Sequence, residues 1–435
     1  MRVFFLCSIL LPVSFIFSTQ PCAAAIRDSV ADVLQTPFFE KLYANTYYSL
    51  LDRLNPDGYL EESLSGAYDG MYCRTTGPMV LLLLETGRYQ EAERMISFVL
   101  NAVAENDMER IPHVIGQAVD GRYPVTSNEN QIDGQAHVLL AWARLAVQRG
   151  HTAFEDKTWP LVSKLMERTC DRTYLQVGWW SIEPGLVRNL SFEHSREGRR
   201  WDTWDLLTQS FVGAALTDMI TVAKRRGAGA LGDNWSKKLG LLRQGIAKHL
   251  TVQRNGKTTY LEMRLPDSNG GVPFLGMGWV CLAPVAAGWE ALEHGVMVNT
   301  VAEMQRTLLK TTRGLAWMPT DGYPDGTVSN EIIGKGLGWE MEFCRQEKDY
   351  TRVAQILKLI GIVNAGSSIY MEGGWLDAAG IKPSQKLTDK DLASMKEAVW
   401  KSKDAGNGEQ CAWWCWAMAR LRKEKGLPAV PKRKP

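Results

Sequence analysis

The sequence predicts an all-α fold, an (α/α)6 toroid of six helical hairpins with long loops at one end. Three observations predict it: two helix types alternate six times, short and long connections alternate with them, and no long stretch shows the strict period of a strand. One helix type is amphipathic. Between Glu91 and Val103, apolar residues fall at Ala92, Met95, Ile96, Val99, Leu100 and Val103, the stripe of a helix buried on one side. Similar stripes run through Phe38–Leu51, Phe154–Cys170, Trp235–Leu250, Val298–Leu309 and Tyr350–Val363. The other type is apolar nearly all round, as in Ile132–Val147, and has to be buried on most faces. Others of this kind start near Tyr68, Thr203, Gly278, Ile332 and Glu409.

Concentric rings satisfy both types, with apolar helices inside and amphipathic ones covering them. An open solenoid is the alternative, but it needs polar capping segments, and neither end of the chain supplies one. Turns from an inner to the next outer helix are short, around Gly87, Gly150, Gly227, Gly295 and Lys348. The returns are long, roughly 54–67, 104–130, 171–202, 251–276, 313–330 and 365–408. Long loops in a compact domain usually carry function. All six precede inner-helix N-termini, so they share one end of the ring.

The ends of the chain read differently. Residues 1–25 form a secretory signal: Arg2, an apolar run from Val3 to Phe17, then Ala23-Ala24-Ala25. The run is about 15 residues, short of the roughly 20 that a helical span needs. Cys22 invites a lipoprotein reading, but Gln20 and Pro21 before it do not make a lipobox. Export to the periplasm or the medium is the expectation. Residues 26–425 form a single barrel domain, and 426–435 a basic, Pro-rich tail expected to fray. No later apolar run approaches a membrane span. The net charge of +2 falls to about +1 without the signal, so nothing points to nucleic acid. Six of the eight cysteines lie beyond the signal, dispersed and in apolar contexts, and read as buried free thiols. No Cys/His cluster, HExxH or Asp-rich calcium loop is present, so neither a metal nor a cofactor is expected. Gly334-Lys-Gly336 lacks the spacing of a phosphate loop and reads as a helix start. Oligomeric state is not legible.

The long-loop end collects carboxylates and tryptophans. Glycoside hydrolysis needs two carboxyl groups, one to protonate the leaving oxygen and one to act as base or nucleophile. Candidates are Asp69, Glu129, Asp133, Glu183, Glu193, Asp202, Asp205, Asp321, Asp325, Glu331, Glu372, Asp377 and Glu409. Acids at helix N-termini also serve as caps, which accounts equally well for Asp69, Asp133 and Glu331. Trp180, Trp204, Trp339 and Trp375 are candidate platforms for sugar rings, and packing of the ring interior is the other use for such side chains.

The hairpin order and these loops resemble the six-hairpin (α/α)6-barrel glycosidases, the clan that includes the glucoamylases. Asp202-Thr-Trp-Asp-Leu206 is similar to the glucoamylase Asp-Leu-Trp-Glu-Glu segment, which implies Asp205 as general acid, with Asp where the family has Glu. Met371-Glu-Gly-Gly-Trp375 resembles the segment carrying the base, which implies Glu372. Glu193, in the same loop as Asp205, is a rival acid among His194, Arg196, Arg199 and Arg200. The resemblance implies an inverting, exo-acting enzyme on an oligosaccharide or polysaccharide. Three alternatives stay open: an unsaturated uronyl hydrolase using Asp133, a polysaccharide lyase using His194 with Arg196, and a non-catalytic glycan-binding protein.

Overall fold

The computed structural model describes residues 30–175, 185–189, 203–265, 271–289, 292–378, 381–395 and 397–433. The outer helices are α1 (Pro37–Arg53), α3 (Tyr89–Glu105), α5 (Ala153–Leu175), α7 (Gly229–His249), α9 (His294–Leu308) and α11 (Tyr350–Val363). The inner ones are α2 (Thr76–Glu85), α4 (Ile132–Arg149), α6 (Leu206–Arg225), α8 (Ala283–Ala287), α10 (Gly334–Gln346) and α12 (Gly408–Glu424). Each inner helix packs on the next, and α12 returns to α2, so the ring closes and the solenoid alternative falls. Burial follows the two sequence patterns. In α4 the residues from Ile132 to Ala143 are all buried, whereas α3 buries one face, including Ala92, Met95, Ile96 and Val99. Helix α6 is long and apolar enough to cross a membrane, contrary to the sequence expectation, but most of it is buried inside the ring.

The short turns follow the glycine signal at Gly87, Gly150 and Gly227, where φ is 75°, 73° and 74°. The fourth hairpin departs from it. Gly295 lies inside α9, and the left-handed residue is Gly288, with φ 62°. The cause is the shortness of α8, which follows a 3-10 turn over Trp279–Leu282 and so ends early.

The long loops are not plain coil. They pair into short antiparallel strands that stitch neighbouring loops together. Met71–Tyr72 pairs with Val114–Ile115, Trp204–Asp205 with Met263–Leu265, Met277–Gly278 with Asp321–Gly322, and Val328–Ser329 with Lys386–Leu387. The sheet with the longest strands has the order β1 (Glu331–Ile333), β2 (Met371–Asp377), β3 (Val399–Ala405). Strands of two to seven residues are too short to show a period, and Gly373-Gly374 interrupts the longest. The first and sixth loops meet where Gly408 N–H donates to the Glu62 carbonyl at 2.6 Å.

Two expectations about the periphery resolve differently. The six cysteines beyond residue 29 are buried thiols outside any disulfide among the described residues. The tail is docked rather than frayed. Tyr43 donates its hydroxyl to Ala429 O, Tyr48 donates to Pro431 O at 2.8 Å, and Arg433 pairs with Asp52 at 2.7 Å. A terminus held by backbone acceptors does not fray.

Candidate active site

Each inner helix begins with a residue that faces a common belt at the long-loop end. Asp133, Lys335 and Glu409 are each the second residue of their helix, Asp205 caps α6, and Arg74 and Trp279 lie in the 3-10 turns before α2 and α8. These side chains join into one continuous arc. Asp205 accepts from the Thr208 N–H at 2.6 Å and from the Thr208 hydroxyl at 2.8 Å. Asn189 bridges Thr208 (3.2 Å) to Asp133 (2.7 Å). Arg74 lies 3.3 Å from Asp133 and 3.4 Å from Glu409. Lys335 reaches both Glu409 oxygens at 3.1 Å and sits 4.4 Å from the centre of the Trp279 ring. The arc thus touches all six inner helices.

The belt is almost dry. Asp133, Asp205, Lys335, Glu409 and Arg74 expose 8% or less of their surface. Burial and the neighbouring Asp133 push the Asp205 carboxyl up to about 7. Glu62, in the first loop, accepts from the Thr75 hydroxyl at 2.6 Å and from Glu409 N–H at 3.0 Å. Burial raises it too, to about 7, against those hydrogen bonds.

One helical turn inward the belt gives way to aromatic rings. Residues four apart on a helix stack on one face, so Asp133, Lys335 and Glu409 stand over His137, Trp339 and Trp413. His137 stacks on Phe211 at 3.7 Å, Trp413 meets Trp339 edge-on at 5.3 Å, and Trp339 meets Trp279 at 5.5 Å. The His137 Nδ1 lies 2.7 Å from Asp133 O, and desolvation lowers its pKa to about 3, so the ring is neutral. This layer plugs the barrel axis.

The site residues expected from sequence separate into five groups. Asp133, Asp205 and Glu409 come together in the belt. Glu372 lies on β2, accepts from the Tyr68 hydroxyl at 3.0 Å, and has Lys403 Nζ at 3.4 Å; its side chain stays 13% exposed. Trp375, also on β2, is half-buried. Asp69 and Glu129 are exposed on the first two loops, with Glu129 3.9 Å from His113. Trp339 and Trp204 are corrected. Both are buried, Trp339 in the aromatic plug and Trp204 against Arg188, so neither offers an open face to a sugar ring. Trp279, Trp317, Trp413 and Trp414 are interior as well, which makes packing the main use of tryptophan here. Glu193, Trp180 and Asp202 lie outside the described residues, as do Glu183, His194, Arg196, Arg199 and Arg200.

Sequence reasoning missed Arg74, Lys335, Asn189, Glu62 and Tyr68. A signal existed for Lys335: a lysine in the first turn of an inner helix has to be buried and paired. Arg74, between Cys73 and Thr75, carries the same signal. Asn189 and Tyr68 act through contacts far apart in the chain, and no local pattern marks them.

No family model matches the chain, and no curated protein matches it. Solved structures do. A bacterial glucoamylase complexed with acarbose superposes with a TM-score of 0.61 at 15% identity over 90% of this chain, which spans only 56% of that enzyme's length. A metal-independent α-mannosidase from Streptococcus pneumoniae gives 0.60 at 11% identity, covering 92% of this chain and 97% of its own. A rhamnosidase from Klebsiella oxytoca gives 0.55 at 12%, covering 90% and 65%. The chain therefore has the fold of the six-hairpin glycosidases.

Proposed function

We propose that the chain is a glycoside hydrolase, inverting and exo-acting on oligosaccharides, with Glu372 as general base. The observation that carries this reading is the placement of Glu372. It is an acid on the loop rim, reachable from solvent and oriented by the Tyr68 hydroxyl, at the end of the ring where six helix N-termini converge. The acarbose-bound glucoamylase and the mannobiose-bound mannosidase share the fold and bind sugars, which supports a carbohydrate substrate. An inverting enzyme places its carboxyls about 6.5–9.5 Å apart to admit the attacking water. Glu372 takes the proton from that water as it attacks the anomeric carbon, and a protonated carboxyl on the opposite side donates to the leaving oxygen. Asp205 has the protonation state such an acid needs near neutral pH, but its oxygens are buried and already hydrogen-bonded. Glu193 is the longer rival. The arc of Asp133, Arg74, Glu409 and Lys335 then sets the polarity of the floor.

The test is Glu372→Gln on an oligosaccharide panel. The expected result is a kcat lower by about 10³-fold or more with an unchanged melting midpoint, and NMR of the wild-type product should show the inverted anomer first. Full activity in Glu372→Gln sinks the assignment, and comparison of Asp205→Asn with Glu193→Gln decides the acid. A second reading has one observation behind it. Asp133 is paired with Arg74, a cation that suits a uronate carboxylate, as an unsaturated uronyl hydrolase requires. That reading predicts loss of the unsaturated-uronate absorbance by wild type, abolished in Asp133→Asn and retained in Glu372→Gln. Export follows from the N-terminal segment, and a mature N-terminus at Ile26 by mass spectrometry tests it.

A further inference from the structure

We infer that the short-turn end of the ring holds a second binding site, one for a neutral saccharide. The C-terminal halves of α2, α4, α8, α10 and α12 surround a cavity of about 630 Å³ there. That volume lies within the range of small-molecule sites, roughly 300–1,000 Å³. The cavity is not the far side of the loop-end site, because the layer of His137, Phe211, Trp339 and Trp413 closes the axis between them.

The lining selects the class of ligand. Arg144, Arg345 and Arg420 reach it, and each is matched by an acid: Arg144 by Asp218 at 2.8 Å, Arg345 by Glu342 at 2.8 Å and Glu424 at 2.6 Å, Arg420 by Glu85 at 2.7 Å and Glu342 at 3.0 Å. No arginine at the cavity is left without a carboxylate, so none calls for an anionic ligand, which disfavours phosphates and uronates. Arginines near helix C-termini also offset the helix dipoles, and that role alone needs no cavity. Planar polar groups remain at the mouth: the exposed amide of Gln148, the carbonyl of Gln346, whose Nε2 donates to Glu342 at 2.8 Å, and the Nη2 edge of Arg420, whose Nε and Nη1 go to Glu342 and Glu85. Planar forks of donors and acceptors match adjacent hydroxyls of a sugar ring, in the way that they match carboxylates. The apolar wall includes Trp416, with Arg420 stacked 5.2 Å from its ring centre, and Trp289, whose buried indole N–H has no partner among the described residues. An apolar body with a few placed polar groups is the composition of a site for a small uncharged polyol.

The ligand class does not depend on catalysis, and the experiment separates the two. Maltose and mannobiose are titrated calorimetrically into Glu372→Gln protein, with glucuronate and inorganic phosphate as charged probes. Two sites are expected for a neutral disaccharide. Gln148→Trp, which plugs the exposed mouth, should remove one of them, and Gln148→Ala should weaken that one about tenfold or more while the other is unchanged. A single site insensitive to both Gln148 variants overturns the inference while leaving the hydrolase reading intact. Competition at the Gln148-sensitive site by phosphate or glucuronate alone overturns the neutral class. Absence of any disaccharide binding overturns this inference and counts against the hydrolase reading as well.

Discussion

The two ends of the ring are built from the same six inner helices and treat charge in opposite ways. At the long-loop end Arg74, Asp133, Lys335 and Glu409 are withdrawn from water. At the short-turn end the side chains of Arg144, Arg345 and Arg420 remain 28%, 15% and 32% exposed. Loop length accounts for the difference. Long returns fold over the N-terminal ends and stitch themselves into small sheets, whereas a Gly turn covers nothing. The consequence is energetic. A buried ion pair seldom gains enough Coulomb energy to offset its desolvation, and apolar replacements of similar shape are often neutral or stabilising. Stability therefore does not explain a belt of buried charges.

The sharpest way to break this comparison is to remove one charged side chain at each end. Glu409→Ala removes the buried carboxylate that Lys335 and Arg74 share and should cost about 3–5 kcal/mol of unfolding free energy. Arg420→Ala at the other end should cost about 1 kcal/mol or less, because Glu85 keeps Lys423 and Glu342 keeps Arg345 as partners. Urea unfolding measures both. Equal losses would mean that the two ends do not differ in the way that their burial indicates.

The second effect is a pH dependence confined to the loop end. Asp205 and Glu62 have folded-state pKa values raised to about 7, above those of the unfolded chain. A raised carboxyl favours the folded state while it is protonated. Its contribution is complete below the unfolded value, near 4, and is lost as pH climbs through about 7. Stability should therefore fall between about pH 4 and about pH 7. Asp205→Asn, which keeps an N-cap side chain but cannot ionise, should flatten part of that fall, by about 2–4 kcal/mol. An unchanged slope in Asp205→Asn would place the titration elsewhere.

The sequence carried the ring more fully than the site, for a physical reason. Helical periodicity is local, so the stripe in α3 and the all-round apolarity of α4 are visible in windows of a dozen residues, and Gly87, Gly150 and Gly227 mark real left-handed turns. The belt is assembled from six helices spread between Arg74 and Glu409, and only the closure of the ring brings them together. Asp133, Asp205 and Glu409 were legible as acids at helix starts, while their partners Arg74, Asn189 and Lys335 were not. Trp339 misled because composition counts tryptophans without saying which way they point. The strands were hidden because their pairing partners lie in other loops.

A third, smaller effect concerns the aromatic plug that divides the two ends. Gly77 sits in the first turn of α2, where alanine normally stabilises a helix by roughly 0.5–1 kcal/mol. Here a Cβ would stand 2.8 Å from the His137 Cβ and Cδ2. The ring is clamped between Phe211 and its own Nδ1 contact to Asp133 O, so it cannot retreat. Overpacking of this kind costs about 1–3 kcal/mol, which outweighs the helix gain. Gly77→Ala should lower the melting midpoint, and a rise would show that the plug is looser than its packing implies.

The smallest effect lies on the outer wall, where the tail is docked. Arg433 pairs with Asp52 at 2.7 Å and stacks 5.1 Å from the Tyr48 ring centre, but the paired side chains are 64% and 55% exposed. Exposed pairs are screened by water and pay for the ordering of two long side chains, so Arg433→Ala should cost about 0.5 kcal/mol and nothing measurable in 1 M salt. The tail's hold comes instead from the hydroxyls of Tyr43 and Tyr48 on the carbonyls of Ala429 and Pro431. Tyr43 is fully buried and would lose an acceptor that water cannot replace. Deleting residues 428–435 should therefore destabilise the fold more than Arg433→Ala does, and the excess should survive high salt. If both changes were equally small and equally salt-sensitive, the tail would be held by its charge alone, and the fraying expected from its composition would be the better description.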